Sequence, residues 1–520
     1  MLSTTVMQTS EKTHPKLTEL RNRLAEIDDI NCAASLLYWD QATYMPLGGA
    51  KARGRQLATL RQLAHAKLTD GAIAQLLEDL ATYAADLPYD SDAAALLRIT
   101  QRQVERATKV PNAFMAKLSK HRAETYQAWA KARESNAFAL VQPYLEKTLE
   151  LSREWANFFP GYDHIADPLI DASDHGMKAA TIQAIFAELR SQLVPVVQAI
   201  TAQPPIADNC LKQFFPEAEQ LAFSLKLIQS MGFSLHRGRQ DKTLHPFMTN
   251  FSIDDVRITT RVQEQNFSEC LFSTLHEMGH AFYELGNAAE LENTPLAGGI
   301  SSGVHESQSR LWENMVGRSR PFWRYAYPQL QAAFPAQFQS VPMETFYRAI
   351  NKVERSLIRT DADEVTYNLH VMIRFDLELA LLEGSLSIRE LPDAWNERYR
   401  SDLGLVPDSD SNGVLQDVHW YSGCIGGAFQ GYTLGNLMSA QFFEAALKAH
   451  PDIPQQLEQG QFDRLSHWLR TNLYQHGRKF TADEIMLRAT GQPLSTRPLM
   501  RYIHKKFGEL YDLPLTAIAA

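Results

Sequence analysis

His276-Glu277-Met278-Gly279-His280 sets two imidazoles four residues apart, with a carboxylate beside the first. On a helix, residues at that spacing stand one above the other, so both rings can reach a single ion while Glu277 stays alongside as a proton acceptor. The chemistry such a group can do is metal-assisted hydrolysis. With 16 His in 520 residues, random placement gives roughly 0.03 such motifs per chain. Coincidence is therefore disfavoured, and the alternative is two histidines packed or solvated on an ordinary helix.

A hydrolytic zinc takes a third protein ligand and leaves a further position to water, whose pKa falls to about 7. No histidine follows closely enough to complete the extended metzincin pattern: Ala281 to Gly286 contains none. The carboxylates downstream are Glu284, Glu290, Glu292 and Glu306. Glu284 is one more step along the same helix, too far along the axis to close a tetrahedron, and Glu290 and Glu292 lie near the turn that ends it. Glu306 is the preferred ligand. It follows the flexible run Gly298-Gly299-Ile300-Ser301-Ser302-Gly303 and lies in a helical-looking stretch, His305 to Glu313, that can double back on the first helix.

The elements that must position these groups can be read from periodicity. Leu271, Leu275, Met278 and Phe282 recur at helical steps between Glu269 and Leu285, without proline. Gly279 costs about 1 kcal/mol against Ala there, which predicts that something approaches the backbone closely. Just upstream, Val256, Ile258, Thr260 and Val262 alternate with Arg257, Thr259 and Arg261, a short strand whose edge could receive an extended peptide. Helical periodicity also marks 15–28, 92–107, 112–158, 178–201, 216–231, 342–384, 434–449 and 462–476, and Thr481 to Glu484 has capping-box spacing. Pro204-Pro205 and Pro407 to Gly413 read as loops. The expected fold is mostly α, a two-lobed helical metallopeptidase with a deep cleft and a small β-sheet next to the metal helix. It is expected to form one catalytic unit: an N-terminal helical lobe over 15–240, the metal site and cleft over 241–435, and C-terminal helices over 436–520.

Further motifs occur in order along the chain. They are Trp39-Asp40-Gln41 with Tyr44-Met45-Pro46, His245-Pro246-Phe247, Asp255-Val256-Arg257-Ile258-Thr259, His305-Glu306-Ser307, Ile358-Arg359-Thr360-Asp361-Ala362-Asp363, and Gly413-Val414-Leu415-Gln416-Asp417-Val418-His419-Trp420. With the H-E-x-x-H segment, this series resembles the M32 metallocarboxypeptidases, the carboxypeptidase Taq family, over essentially the whole chain.

The resemblance implies a carboxypeptidase of broad specificity that trims peptides from the free C-terminus. It implies one divalent metal on His276, His280 and Glu306, with zinc the first expectation and cobalt an alternative, and a homodimer. Glu277 is the expected general base and then general acid. His419 and Tyr432 are the candidate donors to the oxyanion, with Tyr421 in reserve. Arg359 is the candidate for the substrate carboxylate, because a planar guanidinium can hold both oxygens, and Arg348 and Arg355 are the other arginines near it. His245 and Arg257 are expected as walls of the substrate site. An internally cutting oligopeptidase and a metal- or peptide-binding scaffold without turnover are the competing functions, and the presence of Glu277 argues against the scaffold.

A net charge of −9 without a basic stripe excludes the electrostatic footprint of a nucleic-acid binder. Cys32, Cys210, Cys270 and Cys424 are too sparse for a disulfide scaffold, which suggests a reducing cytoplasm. Met1 to Lys16 lacks the apolar stretch of a leader peptide, and no run of about 20 apolar residues is present to span a bilayer, so no membrane association is expected.

Overall fold

The helical periods become helices with shifted ends: 15–28 extends to Pro15–Thr43 and 434–449 starts earlier, at Gln430, while 462–476 shortens to Asp463–Asn472. A computed structural model describes residues 14–514; nearly all of the Met1 to Lys16 stretch read above for a leader lies outside them. The chain divides into two compact units, one running to Thr108 and including Ala289–Ala297, the other taking Lys109–Ala288 and the chain from Gly298 onward.

In the smaller unit, α1 (Pro15–Thr43) packs along α2 (Ala50–Leu68). The larger unit holds the candidate site and is built around α3 (Asn112–Glu134), α4 (Gln142–Asn157), α5 (Ala179–Thr201) and α6 (Glu217–Ser230), followed by a three-stranded sheet and further helices. The strands are β1 (Gly238–Lys242), β2 (Met248–Ser252) and β3 (Asp255–Thr260), in the order β1-β3-β2. β3 pairs parallel with β1, Gln240 opposite Ile258, and antiparallel with β2, Asn250 opposite Val256. Val256, Ile258 and Thr260 are buried as the alternation predicts, but Thr259 on the other face is buried too, and β3 lies against α7 (Phe267–Leu285), the helix of the His276–His280 motif. The Thr260 hydroxyl is within hydrogen-bond distance of Ser273 Oγ, at 2.8 Å, which fixes the strand to the first turns of that helix.

α7 starts where Asn266 accepts the Ser268 N–H and is buried on most of its circumference. α8 (Ser302–Arg310), capped by Ser301, doubles back against it and runs on into a wider π turn over Leu311–Val316. Gly279 marks the crossing. A Cβ built there would lie 2.6 Å from Gln308 O and 2.6 Å from Ser309 Cα, so the predicted close approach is the second helix itself. Gly279→Ala should therefore destabilise the protein by about 1–3 kcal/mol through overpacking, against the small gain Ala brings to an exposed helix. A raised thermal midpoint in calorimetry would contradict that contact.

Among the further helices of the larger unit's core are α9 (Tyr367–Glu383), α10 (Leu391–Leu403) and α11 (Gln430–Ala449), the last packed along α8. The single period expected over 342–384 is broken. The chain is helical over Met343–Ile350, irregular to residue 366 apart from one turn at Arg359–Asp361, and helical again in α9. The first helix stops at Asn351, whose side-chain amide donates to the Tyr347 and Arg318 carbonyls, and Asp363 opens the next by accepting from the Val365 and Thr366 N–H groups while also taking the Glu354 N–H. Likewise 112–158 is two helices with Asn136 left-handed between them. The capping box at Thr481 and Glu484 forms as read.

Candidate active site

The i, i+4 spacing on α7 brings the His276 and His280 rings to 4.9 Å between centroids. The Glu306 carboxylate on α8 meets both, its Oε2 lying 3.6 Å from His276 Nε2 and 3.5 Å from His280 Nε2. One donor atom from each of the three residues fits within 4.8 Å of the others. Glu306 reaches this position because α11 passes close over it: a Cβ on Gly435 would stand 2.6 Å from Glu306 Cβ and Cγ. Any larger side chain would push the helices apart. Two imidazole nitrogens and one carboxylate oxygen converging on a point make a donor set suited to a divalent ion such as zinc, so the residues present fit the metal their spacing suggested.

The outer groups orient these donors. His276 Nδ1 is 2.9 Å from Glu313 Oε2, in the π turn. His280 Nδ1 is 2.6 Å from His305 Nδ1, and His305 Nε2 is 2.9 Å from Glu284 Oε1. Arg310 donates from Nε to Glu306 Oε1 at 2.7 Å and from Nη1 to Glu313 Oε2 at 3.3 Å. Burial opposes the charge of Glu306, yet Arg310 and the two imidazoles hold it well below the usual carboxylate range. Burial likewise opposes Glu313, which Arg310 and His276 hold at about 2. Burial pushes His280 down to about 4, leaving it neutral, the form that offers a lone pair.

Glu277 is 6% exposed and faces the same cleft as His276, a cavity of about 700 Å³ within the larger unit. Burial pushes its carboxyl up to about 7, against the pull of the His276 ring and with the aid of the Glu306 charge. A carboxyl near neutrality can both take and return a proton.

Arg359 lines this cleft too, but its guanidinium is already engaged. Nε and Nη2 donate to Asp417, the closest contact being 2.6 Å, and Nη1 donates to Tyr367 OH at 2.9 Å. Asp417 takes a second guanidinium from Arg374, and the two arginines hold it well below the usual range although burial opposes its charge. The ion pair that sequence neighbours such as Asp361 or Glu354 could have supplied is thus made with a residue of a distant loop. Arg348 and Arg355 donate instead to the Leu510 and Leu403 carbonyls.

His419 and Tyr432 meet each other, His419 Nε2 lying 3.1 Å from Tyr432 OH, and Arg359 lies 5.2 Å from the Tyr432 ring centre. Neither residue is among those that line the cleft described above. Tyr421, held in reserve from sequence, is buried and spends its hydroxyl on Val414 O. His245 is exposed and lines the cleft with Pro246. Arg257 is placed otherwise: its guanidinium pairs with Asp255, two positions along β3, at 2.8 Å, and lies over the Phe251 ring, outside the cleft lining. On a strand, residues two apart share a face, which brings the two side chains together. Glu290 and Glu292 belong to the smaller unit.

The sequence reading missed Glu313, His305 with Glu284, and Asp417 as partners of functional groups. A signal existed for Glu313: it stands seven residues after Glu306, two turns along one helix face. Glu284 was set aside as a ligand for being one further i+4 step along α7, and the same step places it on the face of His280.

A helical protein with H-E-x-x-H on a buried helix and a carboxylate from the next helix closing the triad belongs to the metallopeptidase class. The model of one family in that class, Carboxypeptidase Taq (M32) metallopeptidase, matches residues 19–507. The chain is similar to the crystal structure of an M32 carboxypeptidase from Deinococcus radiodurans R1, at 47% identity and a TM-score of 0.94 over 96% of this chain and 100% of that one. It is also similar to Thermostable carboxypeptidase 1 of Thermus thermophilus, 38% identical over 97% of this chain and 100% of that protein. Carboxypeptidase 1 of Bacillus subtilis is 35% identical over 95% of this chain and 98% of its own. The chain belongs to the carboxypeptidase Taq (M32) metallopeptidase family, and it is a metallocarboxypeptidase.

Proposed function

We propose that this enzyme releases amino acids one at a time from the free C-terminus of peptides, with broad tolerance of side chain, using a divalent ion held by His276, His280 and Glu306. The observation that carries this is the convergence of one donor atom from each of these residues within 4.8 Å, beside a cleft that also exposes Glu277 and Arg359. Zinc is the ion proposed, with cobalt as an alternative. Such an ion, when bound, polarises the scissile carbonyl and lowers the pKa of water.

The protein's own groups do the rest. Glu277 takes the proton of the attacking water and returns it to the leaving amine, a task its raised pKa suits. The Tyr432 hydroxyl, held by His419 and next to the cleft residue Arg359, turns into the cleft when substrate binds and donates to the developing oxyanion. Arg359 turns the N–H groups left over from Asp417 and Tyr367 toward the terminal carboxylate, and Asp417 fixes its plane. His245 supplies part of the cleft wall. The same reading places the enzyme in the cytoplasm, consistent with four unpaired cysteines, and as a homodimer, which light scattering on a size-exclusion column would test. No helix among the described residues is long and apolar enough to cross a membrane.

Digestion of a free peptide followed by mass analysis should give a ladder shortened stepwise from the C-terminus. Internal fragments would instead assign an oligopeptidase. Arg359→Ala is expected to slow cleavage of the free-carboxylate peptide by tenfold or more while changing the amidated analogue far less, since a charge-assisted hydrogen bond is worth about 1.5–3 kcal/mol. An equal loss on both peptides would assign Arg359 a structural part in the Asp417 cluster.

A further inference from the structure

His276 and His280 are backed in different ways. His276 Nδ1 meets a carboxylate directly, at 2.9 Å from Glu313 Oε2. His280 Nδ1 meets the imidazole of His305, and only beyond that ring does a carboxylate follow, at 2.9 Å from His305 Nε2 to Glu284 Oε1. Glu284 is itself held from two other elements, by the Gly299 N–H at 3.0 Å and by the Asn250 side-chain amide of β2 at 3.2 Å. It is 5% exposed.

We propose that His305 and Glu284 act in series as positioning residues for His280, a carboxylate–imidazole relay that fixes which nitrogen of His280 faces Glu306. The proposal rests on the reading of His276, His280 and Glu306 as the metal site. For the Nε2 of a neutral His280 to keep its lone pair toward Glu306, Nδ1 must carry the hydrogen. That hydrogen is donated to His305 Nδ1, which must then be bare, so the His305 hydrogen sits on Nε2 and is donated to Glu284. Each step leaves one arrangement, and the acceptor-only carboxylate at the end selects it. Asn250 and Gly299 keep that carboxylate from turning toward solvent. Without Glu284, either tautomer of His305 is equally served, and the His280 ring can turn over.

The test is metal affinity, measured at fixed pH by competition of Zn²⁺ between a chromophoric chelator and the full-length protein. The proteins compared are wild type, Glu284→Gln, His305→Ala and the double variant. Each single change should weaken binding by about 10- to 100-fold, the usual effect of groups behind a metal-bound histidine. The double variant should bind no more weakly than His305→Ala, because Glu284 acts only through that ring. Single effects that multiply in the double variant, or a Glu284→Gln protein that binds as wild type does, would overturn the relay. If His305→Ala fails to fold, the near-isosteric Glu284→Gln decides alone, and its d–d spectrum with Co²⁺ should differ from wild type if His280 is displaced, an unchanged spectrum counting against the relay. A wild-type protein that takes up no zinc, or a His280→Ala variant that keeps it, would refute the metal site itself, an outcome separate from failure of the relay.

Discussion

Glu277→Gln is expected to keep its metal and lose turnover by about 10²- to 10⁴-fold, the range a positioned general base contributes, or about 3–5 kcal/mol of transition-state stabilisation. The two effects separate because Glu277 contributes no donor to the His276–His280–Glu306 triad yet borders the cleft beside it. The amide matches the carboxylate in shape and leaves the buried surroundings packed, but cannot accept a proton from water. Metal content by elemental analysis and kcat on a free peptide make the measurement. Near-wild-type kcat would remove Glu277 from the proton path, and loss of metal together with activity would mean that it holds the site together instead.

The second large effect concerns Glu306. Its carboxylate has two tasks: Oε2 faces both imidazoles, and Oε1 accepts from Arg310 Nε at 2.7 Å. Glu306→Ala removes both, leaving Arg310 with Glu313 as its remaining carboxylate. Removing one member of a buried ion pair costs about 3–5 kcal/mol, because the other charge stays desolvated. The variant should therefore lose its zinc and its peptidase activity and also unfold at a markedly lower denaturant midpoint, compared in the presence of chelator so that metal loss is not counted twice. Glu306→Gln keeps an acceptor for Arg310 and should recover part of the stability but not the metal. A variant that kept zinc at wild-type affinity would end the assignment of Glu306 as a ligand.

Much of this was legible in the sequence, unevenly. The α7 pattern of Leu271, Leu275, Met278 and Phe282 is strong because that helix buries an apolar stripe against β3 and its neighbours, and the energetics of burial write themselves into a period. β3 was legible for the same reason, since Val256 and Ile258 face the core. The stretch 342–384 misled because the first helix stops at Asn351 and Asp363 starts a new one by accepting from the Val365 and Thr366 N–H groups, and an apolar period does not register side chains that hydrogen-bond to the backbone. Arg257 shows another limit: its motif carries no sign of the pairing with Asp255 that the strand makes by placing the two on one face.

The sequence by itself determined what a single helix determines: His276 and His280 one above the other, Glu277 beside them, and a bare backbone at Gly279. Those follow from helix pitch and need no partner. The sequence could also prefer Glu306 as the closing carboxylate, but only the tertiary structure decided how closely it approaches both rings, that Asp417 rather than a chain neighbour engages Arg359, and that His280 is backed through His305 while His276 meets Glu313 directly. These pairings join elements far apart in the chain, and their distances are set by how closely α7, α8 and α11 pack, which depends on the glycines at the crossings and on the core beneath them.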